Sequence, residues 1–336
     1  MARLAINGLG RTGKLALQAL IDDGFDGEIV LANDAKGDAA TYAHLLEFDT
    51  VHGRWRERIG HEGDLLLLGD RRIRTTQSSA IEALPLRELG VDIVIDATGA
   101  HKTEATLAPY YDAGVKKVVV SAPVKEARAL NLVYGVNHHL YDAEAHDLVT
   151  AASCTTNCLA PVVKVLHEEI GVAHGSITTI HDVTNTQVMV DKPAKDLRRA
   201  RSGLNALIPT TTGSAMAITL IYPELKGRLN GHAVRAPLLN ASLTDCVFEM
   251  KRSVTAEQVN ALFKRHAEGP LRGILGYEER PLVSTDYVND KRSAIIDAAM
   301  TLVVAGTQLK VYAWYDNEFA YSHRLADVAR LVAASL

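Results

Sequence analysis

The chain has 336 residues, 47% of them hydrophobic and 23% charged, a composition typical of a globular protein rather than a disordered one. The net charge of −4 and the pI of about 6.4 argue against nucleic-acid binding. The N-terminal MARLAINGLGR lacks a signal-peptide pattern, no segment is apolar enough to cross a bilayer, and three cysteines are too few for a disulfide framework. We therefore expect a cytoplasmic protein without membrane or nucleic-acid partners.

Strand-like and helix-like segments alternate over residues 1–150. Apolar runs predict strands, and apolar residues at helical spacing predict helices. The strands are predicted at 3–7, 28–34, 91–99, 116–122, 130–136 and 147–153, and the helices at 11–23 and 38–48. This alternation is typical of an α/β fold with a parallel, doubly wound sheet of the Rossmann type.

The first predicted strand runs directly into a glycine-rich turn. Gly8, Gly10 and Gly13 form a G-x-G-x-x-G pattern before a helix, and Asp34 lies 21 residues beyond Gly13, at the end of the next strand. In dinucleotide sites such glycines permit a tight turn and close approach of a pyrophosphate, and the acid binds the ribose hydroxyls. Because an acid at position 34 would repel a 2′-phosphate, the pattern favours NAD over NADP.

Two further strand ends lie where ligands bind such sheets. Thr98 belongs to DATG and Ser121 to VSAP, each at the carboxyl end of a predicted strand. We expect both to line the cofactor site, although Thr98 fits an ordinary strand-to-loop turn equally well.

The pattern changes after residue 153. Helices are predicted at 155–169, 213–222 and 255–267, and strands in the runs 172–183, 231–250, 293–304 and 308–315. Strand runs with few intervening helices favour an α+β domain with a mostly antiparallel sheet. We predict a dinucleotide-binding domain over 1–153, completed by a C-terminal helix at 318–336, and a catalytic domain over 154–317.

The segment SCTTNC at 153–158 allows a metal site, a disulfide or a nucleophile. No metal site is predicted, because the chain lacks a CxxC pair and zinc needs about four clustered ligands. Cys158 and Cys246 lie among apolar residues and are interpreted as core thiols. Cys154 precedes a predicted helix, whose positive end lowers the pKa of a thiol. Serine and threonine at a helix start also act as simple caps, so the segment alone leaves the nucleophile open.

His181 lies 27 residues after Cys154, at the end of a strand-like run. One helix and one returning strand fit this interval, which would bring the imidazole beside the thiol as its base. A histidine at a strand end is also commonly structural.

Two segments suggest anion binding. PTTTGSA at 209–215 places hydroxyls and amides before a predicted helix, an arrangement suited to phosphate. Arg235 lies within an apolar strand and needs an anionic partner, either an internal carboxylate or a substrate phosphate. The basic loop DLRRARS at 196–202 is interpreted as a solvated or inter-subunit loop.

Nine segments, taken in order, resemble the phosphorylating glyceraldehyde-3-phosphate dehydrogenase family. They are INGLGRTG, ANDA, LLEFDTVHGRW, SAPVK, AASCTTNCLAP, HDVTNTQ, KDLRRARSGLNALIPTTTGSA, GHAVRAP and WYDNEFAYSHR. The resemblance implies an NAD-dependent oxidoreductase of glycolysis. Such an enzyme converts glyceraldehyde 3-phosphate and inorganic phosphate to 1,3-bisphosphoglycerate through a cysteine thiohemiacetal and thioester. It also implies a homotetramer.

The resemblance also implies a role for each matching residue. Cys154 would attack the aldehyde and His181 would assist proton transfer. The substrate phosphate would be held by Thr184 and Arg235, and the attacking phosphate by Ser153, Thr155, Thr212 and Gly213. The cofactor would be contacted by Arg11, Thr12, Asp34, Asn317 and Tyr321, in addition to the glycine-rich turn.

Several positions depart from the family pattern. Asp182 and Thr186 replace a usual alanine and aspartate after His181, which alters the substrate pocket, and Lys192 replaces a leucine near the expected adenosine site of a neighbouring subunit. These departures are similar to a subgroup associated with arsenate resistance, whose product would be 1-arseno-3-phosphoglycerate. An erythrose-4-phosphate dehydrogenase is a second possible function, which Thr212 and Gly213 disfavour, and a non-enzymatic nucleotide-binding regulator is a third.

Overall fold

The structure is a computed structural model that describes residues 1–336. The chain divides into two compact units, residues 1–153 with 322–336 and residues 154–321. None of its helices has both the length and the apolar character needed to cross a membrane.

The first unit is built on a nine-stranded sheet with the order β10-β11-β9-β8-β1-β2-β7-β6-β5. Its strands are β1 Arg3–Asn7, β2 Glu28–Asn33, β5 Ile59–Glu62, β6 Leu65–Leu68, β7 Arg71–Thr76, β8 Ile93–Asp96, β9 Lys117–Val120, β10 Leu130–Asn131 and β11 Leu148–Thr150, with a separate ribbon of β3 Phe48–Asp49 and β4 Gly53–Arg54. Its helices are α1 Arg11–Asp22, α2 Ala39–Glu47, α3 Glu104–Asp112 and, from Ser322 on, α7 Phe319–Ala333.

The central strands of this sheet are parallel and buried on both faces. All residues of β8 and β9 are buried, which explains their continuous apolar character. Because β1 lies between β2 and β8, chain connections leave it in opposite directions. The carboxyl ends of β1 and β8 therefore form the switch point at which such sheets bind ligands.

The second unit contains an eight-stranded sheet with the order β13-β14-β12-β15-β19-β17-β16, in which β18 also pairs with β19. Its strands are β12 Val172–His181, β13 Ile208–Thr211, β14 Leu229–Arg235, β15 Ser242–Met250, β16 Leu275–Glu278, β17 Ala294–Asp297, β18 Leu302–Val304 and β19 Gln308–Tyr315, and its helices are α4 Cys154–Glu169, α5 Ser214–Ile221 and α6 Ala256–Glu268. Only the pairs β12–β14 and β16–β17 are parallel. The predicted fold class is confirmed.

Several strands differ from the prediction. The run 231–250 is two strands, because the chain breaks at 236–241, where Ala241 has a φ of 66°. The run 293–304 is also two strands, separated by a short 3-10 helix at Ala298–Met300. The segment 130–136 contributes only two residues to the sheet. The meander β5–β7 was missed: its strands are short, and β5 and β7 carry charged, exposed residues beside few buried ones.

Candidate active site

Cys154 is the first residue of α4 and is half-buried. The helix is anchored by apolar side chains such as Leu159 and Val162, which are fully buried. Just before the helix, Ala152 adopts a left-handed conformation with a φ of 54°. Left-handed non-glycine residues cost free energy and concentrate at functional sites. The dipole of α4 places partial positive charge at its N-terminus, near the thiol.

His181 ends β12, which follows α4 after a short link. Gly171 makes that link in a left-handed conformation, with a φ of 92°. The strand brings the imidazole back to the helix start, where its Nε2 lies 3.5 Å from the Sγ of Cys154. The structure thus brings together the two residues that the sequence singled out as nucleophile and base.

The two groups shift each other's pKa in opposite directions. Burial alone would raise the pKa of the Cys154 thiol, but the hydrogen bond and charge of His181 lower it below the ordinary value. Burial alone would lower the pKa of His181, but contacts with Asp182 and Cys154 raise it above the ordinary value. Both shifts favour a thiolate–imidazolium ion pair, the reactive form of a catalytic cysteine.

Arg235 reaches the same site from the neighbouring strand. Since β12 and β14 are parallel and pair His181 with Arg235, both residues end at one edge of the sheet. The Nη1 of Arg235 lies 2.7 Å from the Nδ1 of His181 and donates to the carbonyl of Asp182 at 3.2 Å. Its buried Nε has no hydrogen-bond partner. A half-buried guanidinium with an unused donor is suited to an anionic ligand.

The other predicted phosphate ligands lie in local turns. Thr184 Oγ1 lies 2.9 Å from Thr186 Oγ1. Thr212 Oγ1 accepts from the Ser214 N–H at 3.3 Å, and Gly213 caps α5. Thr184 follows the carboxyl end of β12, at the edge that holds His181 and Arg235. Thr212 and Gly213 follow the carboxyl end of β13, which is antiparallel to β14 and pairs Thr211 with His232, away from that edge.

The remaining two predicted phosphate ligands differ in exposure. Ser153 is half-buried. Thr155 is 4% exposed, and its hydroxyl lies 2.9 Å from the Tyr315 hydroxyl, so in this structure it bonds to the protein interior.

Arg199 is a residue that the sequence analysis missed, because it lies in the basic loop interpreted as solvated or inter-subunit. Its Nε donates to Thr210 Oγ1 at 3.0 Å, and its charge acts on Arg235. No local pattern distinguishes Arg199 from Arg198 or Arg201.

Asn317 and Tyr321, the predicted cofactor residues of the second unit, are 7% and 6% exposed. The Asn317 side-chain amide donates to Asp182 Oδ2 at 2.9 Å and accepts from the Ser242 hydroxyl at 2.9 Å. Nothing in the sequence pattern pointed to Ser242.

The glycine-rich turn of the first unit has the shape that a pyrophosphate requires. Gly8 has a φ of 96°, and a Cβ there would lie 2.7 Å from the backbone of Ala97, at the end of β8. A Cβ on Gly13 would lie 1.8 Å from the Gly8 carbonyl oxygen. By contrast, the position of a Cβ on Gly10 is open, so a ligand has room at the start of α1. Asp34 accepts from the Leu9 N–H at 2.9 Å and holds the turn. These residues fit NAD.

The other predicted cofactor residues of this unit have protein partners. Arg11 pairs with Asp49, through Nη2 and Oδ1 at 3.0 Å. Thr98 donates through Oγ1 to Asp96 at 2.7 Å, which is the turn chemistry that its sequence also allowed. Thr12 follows Arg11 in the first turn of α1, and the Ser121 N–H extends the pairing of β9 with β8 by donating to the Asp96 carbonyl at 2.9 Å.

Comparisons with known proteins agree with this geometry. A profile described as "Glyceraldehyde 3-phosphate dehydrogenase, NAD binding domain" matches residues 2–104, and one described as "Glyceraldehyde 3-phosphate dehydrogenase, C-terminal domain" matches residues 153–317. The chain belongs to the glyceraldehyde-3-phosphate dehydrogenase family. The resemblance predicted from the nine segments is confirmed, as is NAD as the cofactor.

Similar family members match along their whole length. Glyceraldehyde-3-phosphate dehydrogenase 3 of Nostoc sp. (strain PCC 7120) is 58% identical over 335 residues, covering 99% of both chains. Glyceraldehyde-3-phosphate dehydrogenase of Geobacillus stearothermophilus is 47% identical over 332 residues, covering 99% of this chain and 98% of the relative. These relatives favour neither the arsenate reaction, nor an erythrose-4-phosphate dehydrogenase, nor a non-enzymatic regulator.

Proposed function

We propose that this protein oxidises glyceraldehyde 3-phosphate with NAD and inorganic phosphate to yield 1,3-bisphosphoglycerate. The observation that carries the proposal is the pairing of Cys154 with His181 at 3.5 Å, at a helix start and beside the half-buried guanidinium of Arg235. An activated thiol beside a base forms covalent intermediates with carbonyl carbons, and family membership selects an aldehyde phosphate as the carbonyl compound.

The reaction begins with the ion pair. The thiolate of Cys154 attacks the aldehyde carbon, a C–S bond forms, and the aldehyde oxygen takes the Nε2 proton of His181. The product is a thiohemiacetal on Cys154, and His181 is left neutral. The same imidazole is then placed to act as a base.

Bound NAD supplies the acceptor for the hydride that leaves the thiohemiacetal carbon. As that carbon is oxidised, His181 removes the hydroxyl proton and the C=O bond forms again, which gives a thioester. A phosphate oxygen then attacks the thioester carbon, the C–S bond breaks, and Cys154 leaves as a thiolate. Because the His181 imidazolium stabilises that thiolate, the same contact assists the first step and the last.

Two anion sites support the substrates in this scheme. We assign the substrate phosphate to Arg235 and Thr184, since the buried Nε of Arg235 has no other partner. We assign the attacking phosphate to Ser153, Thr155, Thr212 and Gly213. In the cofactor site, Gly8, Gly10, Gly13 and Asp34 would hold the dinucleotide together with Arg11, Thr12, Thr98, Ser121, Asn317 and Tyr321.

We further assign cofactor binding to residues 1–153 with 318–336, and catalysis to residues 154–317. A cytoplasmic location and a homotetramer belong to the same proposal. The apolar side chains Leu197, Leu204 and Leu207, in and beside the basic loop, are 80%, 59% and 67% exposed, which supports a subunit contact there.

An absorbance assay for NADH tests the proposed reaction. We expect NADH formation to require both glyceraldehyde 3-phosphate and phosphate, and to be faster with this aldehyde than with erythrose 4-phosphate. NADH formation that is independent of phosphate would contradict the thioester step. A preference for erythrose 4-phosphate would reassign the substrate.

A further inference from the structure

Asp182 directly follows His181, and its carboxylate is buried, with 1% of the side chain exposed. Its Oδ1 lies 2.6 Å from the Nδ1 of His181 in an ion-pair contact but forms no hydrogen bond, and the backbone carbonyl oxygen of Asp182 lies 3.0 Å from the same nitrogen at hydrogen-bond geometry. The opposite ring nitrogen, Nε2, faces the Sγ of Cys154. A sulfur, an imidazole and a carboxylate therefore lie in sequence, which is the arrangement of a nucleophile, its base and the group that orients the base.

The second oxygen of the same carboxylate belongs to a closed ring of hydrogen bonds. The Asp182 N–H donates to Ser242 Oγ at 3.2 Å, and the Ser242 hydroxyl donates to Asn317 Oδ1 at 2.9 Å. The Asn317 amide then donates to Asp182 Oδ2 at 2.9 Å. Burial raises the pKa of Asp182, and the contacts with His181 and Asn317 oppose that shift. When ionised, the carboxylate only accepts, so the Asn317 amide must present its NH₂ group to Oδ2 and its oxygen to Ser242. The ring fixes both the carboxylate and the Asn317 amide.

We propose that Asp182 is a positioning residue that completes a Cys154–His181–Asp182 triad and couples it, through its second oxygen, to Asn317. The inference rests on the proposed function and deepens it, because Asn317 is assigned to the cofactor. One buried carboxylate then orients both the base that handles the substrate proton and the Asn317 amide assigned to the cofactor.

Arg235 competes with Asp182 for the same ring nitrogen. Its Nη1 lies 2.7 Å from His181 Nδ1, and a guanidinium can only donate, so this contact requires a lone pair on Nδ1. The Asp182 contact requires a proton there instead. The Arg235 contact therefore belongs to the neutral Nε2–H tautomer of His181, whereas the Asp182 contact belongs to the imidazolium or to the neutral Nδ1–H tautomer. A substrate phosphate that accepts from Arg235 removes this competition and leaves Asp182 as the partner of Nδ1, which favours a proton on Nδ1 and leaves Nε2 to exchange protons with the substrate.

The charged groups around the His181 imidazole decide whether Asp182 favours or disfavours the thiolate–imidazolium pair. These are Cys154, Asp182 and Arg235, with the Tyr315 ring at 6.1 Å edge-on and the charge of Glu318 acting on Asp182. The Asp182 carboxylate stabilises the imidazolium but repels the thiolate, whose pKa it raises. Because the carboxylate contacts Nδ1 directly and the whole ring separates it from the sulfur, the stabilisation of the imidazolium is the larger effect.

The rate at which iodoacetamide alkylates Cys154 tests the triad without substrate or NAD. In Asp182→Asn the shape is kept and the charge is lost, so we expect the rate at pH 7 to fall about tenfold and to recover at higher pH, because fewer thiols are ionised. Asp245→Asn is the matched control, since it removes a carboxylate that pairs with Lys310 at 2.6 Å on the same sheet. An Asp182→Asn profile that superimposes on that of the wild type would overturn the triad.

Ser242→Ala separates the triad from the ring. It removes the hydroxyl that holds Asn317 but leaves Asp182 against His181. We expect the KM for NAD to rise severalfold while the alkylation profile keeps its wild-type midpoint. If Ser242→Ala shifted that midpoint as far as Asp182→Asn does, the carboxylate would have only a structural role.

Asp182→Glu covers the case in which Asp182→Asn does not fold. Because this variant keeps the charge, the alkylation rate at pH 7 should stay within severalfold of the wild-type rate. A loss of tenfold or more, which corresponds to a shift of about one pKa unit, would overturn the inference. The alkylation arm is independent of the proposed function. A wild-type protein that forms no NADH would refute the proposed reaction, whereas the pH profile would still decide the triad.

Discussion

Cys154 and Cys158 lie one turn apart on the same helix, yet their chemistry is opposite. The pKa of Cys154 is lowered, whereas burial raises the pKa of Cys158 to about 12. The Cys158 sulfur is fully buried, accepts from the Thr244 hydroxyl at 3.5 Å and faces the Ala313 carbonyl at 3.8 Å. Cys154 is half-buried and Cys158 is fully buried, so burial by itself does not make a thiol reactive.

The difference lies in the charged partner. Cys154 has the His181 imidazole at 3.5 Å and the positive charge of Arg235 nearby, while Cys158 has only neutral neighbours at bonding distance. A cation offsets the cost of a buried thiolate, and a hydroxyl alone does not. Four predictions test this contrast, from the largest expected effect to the smallest.

Substitution of the two sulfurs should separate catalysis from packing. We expect Cys154→Ser to lower kcat by about 10⁴-fold or more, since a serine hydroxyl beside His181 stays protonated at neutral pH. Cys158→Ser should keep kcat within severalfold of the wild type. Steady-state NADH formation measures both, and a Cys154→Ser variant with normal turnover would refute the covalent mechanism.

Alkylation should select Cys154 over Cys158 and Cys246 by at least about a thousandfold at pH 7, because only Cys154 is ionised there. The thiolate disappears as pH falls through the lowered pKa of Cys154, and the imidazolium disappears as pH rises through the raised pKa of His181. The ion pair therefore has a lower pH limit at the Cys154 pKa, which lies below the ordinary thiol value of about 8.5. Its upper pH limit is the His181 pKa, which lies above the ordinary imidazole value of about 6.5. Peptide mass spectrometry after labelling at several pH values gives the result, and equal labelling of Cys158 would contradict the contrast.

Removing the imidazole should make Cys154 resemble Cys158. In His181→Asn we expect kcat to fall by about a hundredfold or more and the alkylation midpoint to move above the ordinary thiol pKa, since burial then acts unopposed. His174→Asn, at the other end of the same strand, is the matched control. If the midpoint stays where it is in the wild type, the helix start alone lowers the thiol pKa.

The smallest effect is expected at Cys158 itself. Thr244→Val removes the hydroxyl that faces the Cys158 sulfur and keeps the side-chain shape, so it should cost about 1 kcal/mol of unfolding free energy. Urea denaturation measures this loss, and kcat should stay within severalfold of the wild type. A large loss of kcat with unchanged stability would show that Cys158 takes part in the reaction.

Local patterns predicted much of this protein. The glycine-rich turn, the helix that begins at Cys154 and the strand that ends at His181 each depend on residues within about 15 positions, and hydrophobic period and turn chemistry act over that range. The interval of 27 residues from Cys154 to His181 was interpretable because one helix and one strand fill it. The charged meander β5–β7 was missed because its strands are short and few of their residues are buried.

Tertiary structure alone decided the partners of the imidazole. Arg235 meets His181 because β14 pairs in parallel with β12, from 54 residues away, and Asn317 reaches Asp182 from 135 residues away. The contact between Asp182 and His181 could not be predicted from their adjacency in sequence, because neighbouring residues of a strand normally point to opposite faces. Contacts of this kind depend on strand order and register, which are set by the burial of whole elements rather than by any short segment. The sequence by itself therefore determined the candidate nucleophile and base, and the fold determined which charged groups surround them.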